Sequence, residues 1–398
     1  MTTTESQKPA PATPAAPGAY SRKNPFLAEL IGHDRLTGPG SKKDTRHFVL
    51  SLADSGLTYT PGDSLGAFAR NSPELVDDLI ALIGFDPAAP VNDPKGQPTT
   101  FRQTLIRDYT ANRANRKIMA GLAERIPQGE QRNRLIELVD NSEALSDYIN
   151  TRDYIDILRE FDEARFESPA AFITHLSPVV PRLYSIASSL QAHPGEVHLC
   201  ITVVRYETHG RPKKGLASGF FADHSDLFVQ NIPIYIQESR SFRLPQDGTR
   251  DIIMCGPGTG LAPFRAFLEQ RILEGAKGRN WLFFGEQHRQ SDFLYANELL
   301  EYQRQGQLHR LDLAFSRDQS DRIYVQHRMR EQARDLWDWI RNGACFYVCG
   351  DARHMAKDVH QTLLDIAQQQ GGLAAEAAAE YVNVTLMKTE KRYLRDVY

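Results

Sequence analysis

The chain has 398 residues, 41% hydrophobic and 24% charged. This is enough apolar material for two or three packed domains and too much for wholesale disorder. Lys plus Arg total 47 and Asp plus Glu 50, a formal charge of −3, so no basic field marks nucleic acid as the main partner. No run approaches the roughly 18 consecutive apolar residues of a membrane helix. Four cysteines do not make a disulfide scaffold and fit a reducing compartment such as the cytoplasm.

Met1 to Ala19 is dominated by Pro and Ala. It lacks the apolar core of a secretory signal and the arginines of a transit peptide, and reads as a flexible, partly extended tail. From about Pro25 to Arg70 short strands alternate, Arg46–Leu52 being the clearest, with Gly56, Pro61-Gly62-Asp63 and Asn71 as punctuation. From about Ser72 to Leu176 the pattern is helical. Ser72-Pro73-Glu74 sets a capping hydroxyl before a proline at the first helical position, and helices are expected over Phe101–Asp108, Asn133–Val139 and Thr151–Glu160. Strands resume at Arg182–Ala187, Glu196–Tyr206 and Ile232–Glu238.

After Arg250 apolar runs alternate with helical stretches: Asp251–Cys255 and a helix from Ala262, Trp281–Phe284 and Phe293–Gln303, Leu311–Phe315 and Val325–Asn342, Cys345–Cys349 and Met355–Gln369. Such alternation predicts a parallel sheet with helices on both faces. The expected fold is thus an antiparallel β-barrel carrying a helical insert, followed by a Rossmann-like parallel α/β domain. The boundaries are 1–23 for the tail, 24–245 for the barrel domain with its insert at about 72–177, and 246–398 for the α/β domain.

Ligands of open α/β sheets sit beyond the carboxyl ends of the strands. Asp251–Cys255 is followed by Gly256-Pro-Gly-Thr-Gly-Leu-Ala-Pro-Phe-Arg265, which suits close backbone approach to a pyrophosphate or a tight strand-to-helix turn without a ligand. Leu311–Phe315 is followed by Ser316, Arg317, Asp318, Asp321, Arg322 and Tyr324. Hydroxyl, guanidinium and phenol groups in that cluster suit a 2′-phosphate, while a solvated loop with its aspartates pairing its arginines has the same composition. Its place at a strand end favours NADP over NAD. A period of two puts Arg182 and Tyr184 on one face of a strand, where they could meet a phosphate and a flat ring, or simply border solvent. Gly215-Leu-Ala-Ser218 reads as a phosphate cradle or as a plain helix cap. Cys345 and Cys349 lack a second sulfur pair, and the twelve histidines show no H-E-x-x-H spacing, so no metal centre is expected. Cys349 ends its strand where an active site would lie, and no G-x-S-x-G elbow is present.

Taken together in this order, Arg182-Leu-Tyr-Ser185, Gly215–Ser218, Gly256–Arg265, Ser316-Arg317, Tyr324-Val-Gln326, Cys349-Gly-Asp351 and Arg395-Asp-Val-Tyr398 resemble the FAD/NADPH module of diflavin reductases, in the ferredoxin–NADP reductase superfamily. The likeness spans about Asn24 to Tyr398. The final tyrosine is similar to the branch that serves NADPH-dependent sulfite reduction, whereas the cytochrome P450 reductase branch ends in tryptophan. The family's flavodoxin-like FMN domain has no counterpart here, so FAD and NADPH are expected and FMN is not.

The resemblance implies residue roles. Arg182 would pair with FAD phosphate, Leu183 would belong to the FAD site, Tyr184 would stack on the isoalloxazine, and Ser185 would hydrogen-bond near flavin N5. Thr110 would touch FAD, Cys200, Ile201, Thr202 and Tyr206 would flank it, and Gly215, Leu216, Ala217 and Ser218 would hold its pyrophosphate. Thr259, Ser316, Arg317, Arg322, Ile323, Tyr324, Val325, Gln326 and Asp358 would bind NADPH. Cys349 and Asp396 would flank the nicotinamide, and Tyr398 would cover the flavin and move for hydride transfer. The implied activity is hydride transfer from NADPH to FAD and onward electron delivery to a protein: a sulfite reductase haemoprotein, a flavodoxin or an FMN-domain protein. A free-standing ferredoxin or flavodoxin reductase of another pathway, and a flavin-binding scaffold without turnover, remain as alternatives.

Overall fold

The computed structural model describes residues 20–226 and 229–398; the Pro/Ala-rich stretch 1–19 lies outside them. Strands β1 (Phe26–Arg35), β2 (Thr45–Ser51) and β3 (Ser64–Ala67) precede a short hairpin of β4 (Pro90–Asn92) and β5 (Pro98–Thr100). Next come β6 (Arg182–Ser185), β7 (Glu196–Thr202), the hairpin β8 (Arg205–Thr208) and β9 (Arg211–Lys214), and β10 (Gln230–Gln237). Six of these form one sheet in the order β6-β3-β10-β1-β2-β7. The β1–β10, β1–β2 and β2–β7 pairs are antiparallel, and an Ile186–Leu199 bridge with the Ala187 N–H to His198 carbonyl bond (2.8 Å) joins the sheet's two ends. The sheet is therefore a closed barrel, and β7 is buried on both faces because neighbours cover it within and outside.

Between β3 and β6 the chain is helical, as its sequence pattern requires. Ser72 caps the helix Pro73–Ile83, its Oγ accepting the Leu75 N–H at 3.1 Å. Expected helices occur at Phe101–Arg107, Glu130–Asp140 and Tyr154–Glu160, and further helices at Arg116–Arg125, Ser142–Asn150 and Pro169–Ile173 fill the rest of the helical stretch. Their apolar stripes meet in one core containing Phe101, Tyr154, Phe161 and Phe172. Asp153 and Asp156 form a reciprocal cap on Tyr154–Glu160, and Arg211 of β9 reaches their carboxylates at 2.7 and 2.8 Å. The strand expected over Glu196–Tyr206 breaks after Thr202, where the Val204 N–H turns to the Ser218 Oγ (3.1 Å) instead of a neighbouring strand.

The parallel sheet comprises β11 (Ile252–Cys255), β12 (Asn280–Glu286), β13 (Arg310–Phe315), β14 (Cys345–Gly350) and β15 (Tyr393–Val397), ordered β13-β12-β11-β14-β15. The winding direction reverses between β11 and β14, which places the crevice at their carboxyl ends. The helix expected over Val325–Asn342 is two helices, Val325–Glu331 and Ala333–Arg341, because Gln332 leaves helical geometry at φ −102° and ψ 19°. Helix Met355–Gln369 has the expected bounds. One compact unit comprises residues 20–66, 183–202 and 229–398, and a second comprises 67–182 and 203–226.

Candidate functional site

In the first unit, the turn after β11 leads through a 3-10 turn, Gly258–Leu261, into helix Ala262–Leu273, with Pro263 in the opening turn where its missing N–H costs nothing. Gly258 has φ +58° and borders open space, its nearest neighbour for an added Cβ being Glu286 Oε1 at 3.4 Å. Gly260 serves packing: a Cβ there would lie 2.2 Å from the Cys349 carbonyl oxygen. Close backbone approach within the protein thus explains one glycine, and room for a ligand explains the other.

Gly258 opens on a cavity of about 570 Å³ at the carboxyl ends of β11, β12 and β13. Ser316, Arg317, Arg322, Tyr324, Val325, Gln326 and Asp358 all line it. Ser316 is held by its N–H to the Glu286 carbonyl (2.9 Å), and Arg317 by its N–H to the Gln287 carbonyl (2.9 Å). Gln326 Nε2 donates to Asp358 Oδ2 at 3.0 Å, joining the first turns of two helices. Tyr324 stacks on His327 with ring centroids 5.9 Å apart. Asp318 does not pair with the arginines of its own loop; it accepts from the Arg289 N–H (2.9 Å) and contacts His288 Nδ1 (3.0 Å). Among the described residues no carboxylate lies within ion-pair distance of Arg317 or Arg322. Two uncompensated guanidiniums in one cavity fit a dianionic group.

Two expected residues fall elsewhere. Ile323 packs against the core beneath the sheet rather than lining the cavity, since its apolar side chain gains more there. Thr259 Oγ1 is occupied by the Tyr398 hydroxyl at 3.2 Å. Conversely, Lys43, Glu286, His354 and Met355 line the cavity without having been singled out. Lys43 Nζ lies 2.6 Å from Glu286 Oε1, whose side chain is almost fully buried. The one available signal was a carboxylate closing the apolar run of β12.

Beside this cavity, parallel pairing sets Cys349 of β14 opposite Asp396 of β15. Ser185 Oγ donates to Asp396 Oδ2 at 2.7 Å, and Cys349 Sγ lies 3.8 Å from the same oxygen. Burial, and then the Asp396 charge, push the Cys349 thiol well above its ordinary range, so it stays protonated. Tyr398 is fixed by its backbone, its N–H donating to Gly350 (3.1 Å) and its carbonyl accepting from Ala352 (3.0 Å), while 64% of the residue is exposed. Leu183 is likewise exposed, and Tyr184 is half-buried on β6.

On β7 the residues expected to flank the cofactor present little side chain to solvent. Cys200 and Ile201 are buried because both faces of β7 are covered, and burial pushes the Cys200 thiol up to about 12. Thr202 Oγ1 bonds Thr45 Oγ1 at 2.9 Å.

In the second unit, the Thr110 N–H donates to Ser177 (2.8 Å), Tyr206 is exposed on β8, and Arg182 is exposed, with no carboxylate in ion-pair distance among the described residues. Gly215 and Leu216 line a separate cavity of about 450 Å³, whereas Ala217 and Ser218 are buried, the Ser218 hydroxyl being spent on the Val204 N–H. A Cβ on Gly215 would come within 2.8 Å of Ser218 Oγ, so the turn closes only with glycine. The open Gly215–Leu216 turn and the exposed Arg182, without a carboxylate partner among the described residues, are each the kind of group a pyrophosphate takes, so the residues present fit FAD.

Comparison with known proteins agrees. A family model described as FAD binding domain matches residues 18–220, about half of the chain. The chain belongs to the FAD-binding-domain family. A second model, oxidoreductase NAD-binding domain, matches residues 244–361. The sulfite reductase [NADPH] flavoprotein alpha-component of Bacillus subtilis (strain 168) is 43% identical over 396 residues, covering 99% of this chain and 64% of the relative. The protein of the same name from Vibrio cholerae serotype O1 (strain ATCC 39315 / El Tor Inaba N16961) is 43% identical over 379 residues, 95% of this chain and 60% of its own length. That of Escherichia coli O157:H7 is 42% identical over 380 residues, 95% and 62%. The chain spans about three fifths of the length of the curated relatives it matches.

Proposed function

We propose that the protein is an NADPH-dependent FAD oxidoreductase that hands electrons to a redox protein, most directly in sulfite reduction. The observation that carries this reading is the adjacency of two features. A cavity with uncompensated Arg317 and Arg322 lies next to a Ser185–Asp396–Cys349 cluster at the switch point of a parallel sheet. Bound FAD supplies a two-electron acceptor that can release electrons singly.

The chain's own residues then have defined work. Ser316, Arg317, Arg322 and Tyr324 grip the adenosine 2′-phosphate and its ring, which selects NADPH over NADH. Gln326 and Asp358 hold the two helix starts that border it. Ser185 and the protonated Cys349 both face Asp396 Oδ2, which fixes that carboxylate's orientation. Asp396 favours the positive charge that develops on a nicotinamide as hydride leaves. The thiol of Cys349 acts as a donor, because a group so strongly kept protonated is no nucleophile. Tyr398, exposed and held by backbone bonds and Thr259, covers the site and swings aside to admit the nicotinamide.

The acceptor is a haemoprotein, a flavodoxin or an FMN-domain protein; relatives named sulfite reductase flavoprotein favour the first setting. Four free cysteines support a reducing, cytoplasmic location. Among the described residues no helix is long and apolar enough to cross a membrane.

The test is anaerobic stopped-flow mixing of the FAD-loaded chain with NADPH and with NADH. Rapid bleaching of the flavin band by NADPH, with NADH much slower, is expected. Bound flavin that neither cofactor bleaches would overturn the reading.

A further inference from the structure

The barrel carries a side-chain cluster that hydride transfer does not use. Ser189 to His198 runs through a tight turn into β7, and the turn folds His193 back over the strand: its N–H bonds Ser189 (3.0 Å) and its carbonyl accepts from Glu196 (3.2 Å). The period of two on β7 then puts Glu196 and His198 on one face. Two imidazoles and a carboxylate from six consecutive positions thus converge, with the His193 and His198 ring centroids 4.1 Å apart.

We propose that His193, Glu196 and His198 form a binding site for a divalent transition-metal ion of the zinc class. One ligand atom from each residue lies within 4.8 Å of the other two. Glu196 Oε2 is 3.0 Å from His198 Nε2 and 4.0 Å from His193 Nδ1. A tetrahedral ion with its ligands at about 2.0–2.1 Å holds donor atoms roughly 3.3 Å apart, so only small side-chain adjustments are needed.

The surroundings match what such ions require. His193 Nε2 lies 3.0 Å from Glu269 Oε1, and a proton shared there leaves the Nδ1 lone pair turned to the ion. Glu269 is itself anchored, accepting from the Ser189 N–H (2.7 Å) and pairing with Arg265 (2.8 Å). The Arg265 charge is compensated by Glu269 and by Glu298 at 3.0 Å, so it does not stand alone against a cation. His198 is buried and turns its Nε2 toward Glu196 Oε2. His47 packs edge-on against it at 4.9 Å and is held by Tyr295 (2.7 Å). His193 and Glu196 are partly open to solvent, which gives an ion a way in and leaves a fourth position for water. Bound there, the ion would fasten the 189–196 turn to β7 and, through Glu269, to helix Ala262–Leu273.

The experiment uses the FAD-loaded chain stripped with a chelator. Cobalt(II) is titrated in while its visible ligand-field bands are followed, and zinc(II) is then added as competitor. One ion per chain at micromolar affinity is expected, with a nitrogen/oxygen spectrum free of thiolate bands, and zinc should displace it. His193→Ala and Glu196→Gln should each weaken binding at least tenfold while flavin content and NADPH reduction hold, which shows that the variants fold. No binding at micromolar metal, unchanged affinity in both variants, or a thiolate spectrum would overturn the site. The metal titrations and the flavin content do not depend on NADPH oxidation, so failure here is distinct from failure of the proposed activity.

Discussion

Arg317 and Arg322 set the charge of the cavity at the ends of β11–β13, because no carboxylate among the described residues compensates them; under the proposed function they read the phosphate. Asp318, the obvious local partner, is spent on Arg289 and His288. A charge-assisted bond to phosphate is worth about 1.5–3 kcal/mol, and about 1.4 kcal/mol is a factor of ten. Each single change, Arg317→Ala or Arg322→Ala, should therefore lower kcat/KM for NADPH roughly 10- to 100-fold and leave that for NADH nearly unchanged. Equal losses with both cofactors would mean that the arginines shape the loop rather than read the phosphate. This part of the site was legible in the sequence because its chemistry lies within nine consecutive residues after one strand. The Lys43–Glu286 pair was not, since its partners stand 243 positions apart and meet only when the barrel and the parallel sheet come together. The metal-type cluster escaped for a different reason: a turn at Gly195, with φ +78°, and not a helical period, brings its ligands into register.

At the scale of elements, the β8–β9 hairpin and the short helical segment after it are joined by charge. Asp223 takes a bidentate contact from Arg205 of β8, at 2.7 and 2.8 Å, and a third from Lys214 of β9 at 2.6 Å. The Arg205 hydrogen bonds, then Lys214 and the two cationic charges, hold the Asp223 carboxyl below the usual carboxylate range against a smaller desolvation cost. A carboxyl whose folded pKa is depressed contributes stability that is present above the unfolded value near 3.8 and is lost as pH falls through the folded value. Asp223→Asn should thus lower stability at pH 7 by about 1 kcal/mol, allowing for solvent screening, and the gap to wild type should close on acidification and in high salt. Urea midpoints at several pH values measure it; a gap independent of pH would rule out the charge as its source. Helices of this unit announce themselves through caps, Ser72 before Pro73 above all. In contrast, β15 gives no such signal. Tyr-Leu-Arg-Asp-Val has neither a clean alternation nor a continuous apolar run, and it becomes a strand because β14 offers it a parallel edge. The pairing that sets Cys349 opposite Asp396 is for that reason a tertiary fact, invisible to local pattern.

Across the first unit as a whole, the expected boundary at 245/246 runs through a single core. Ala187, Cys200 and Phe242 from the barrel side pack in one cluster with Leu261, Phe264, Phe267 and Tyr347 of the α/β side. Phe267 stacks on Phe242 with centroids 5.6 Å apart and meets Tyr347 edge-on at 5.2 Å. Polar links cross the same line: Arg265 donates to the Ala187 carbonyl (2.6 Å), Tyr347 to Arg243 (2.7 Å), and Lys43 pairs with Glu286. A barrel and a sheet joined in this way should unfold together. The three tryptophans, Trp281, Trp337 and Trp339, all lie in the core on the other face of the parallel sheet, so their emission reports the α/β half, while a fluorophore attached to a cysteine substituted for the exposed Leu27 of β1 reports the barrel. In the FAD-loaded chain both signals should change at one denaturant concentration. Phe267→Ala removes contacts to both halves at a cost of about 3–5 kcal/mol and should move both midpoints down by the same amount. A barrel signal that changes well before the tryptophans respond, or a shift of one midpoint without the other, would mean that the shared cluster is a contact surface between two independent folding units rather than one core.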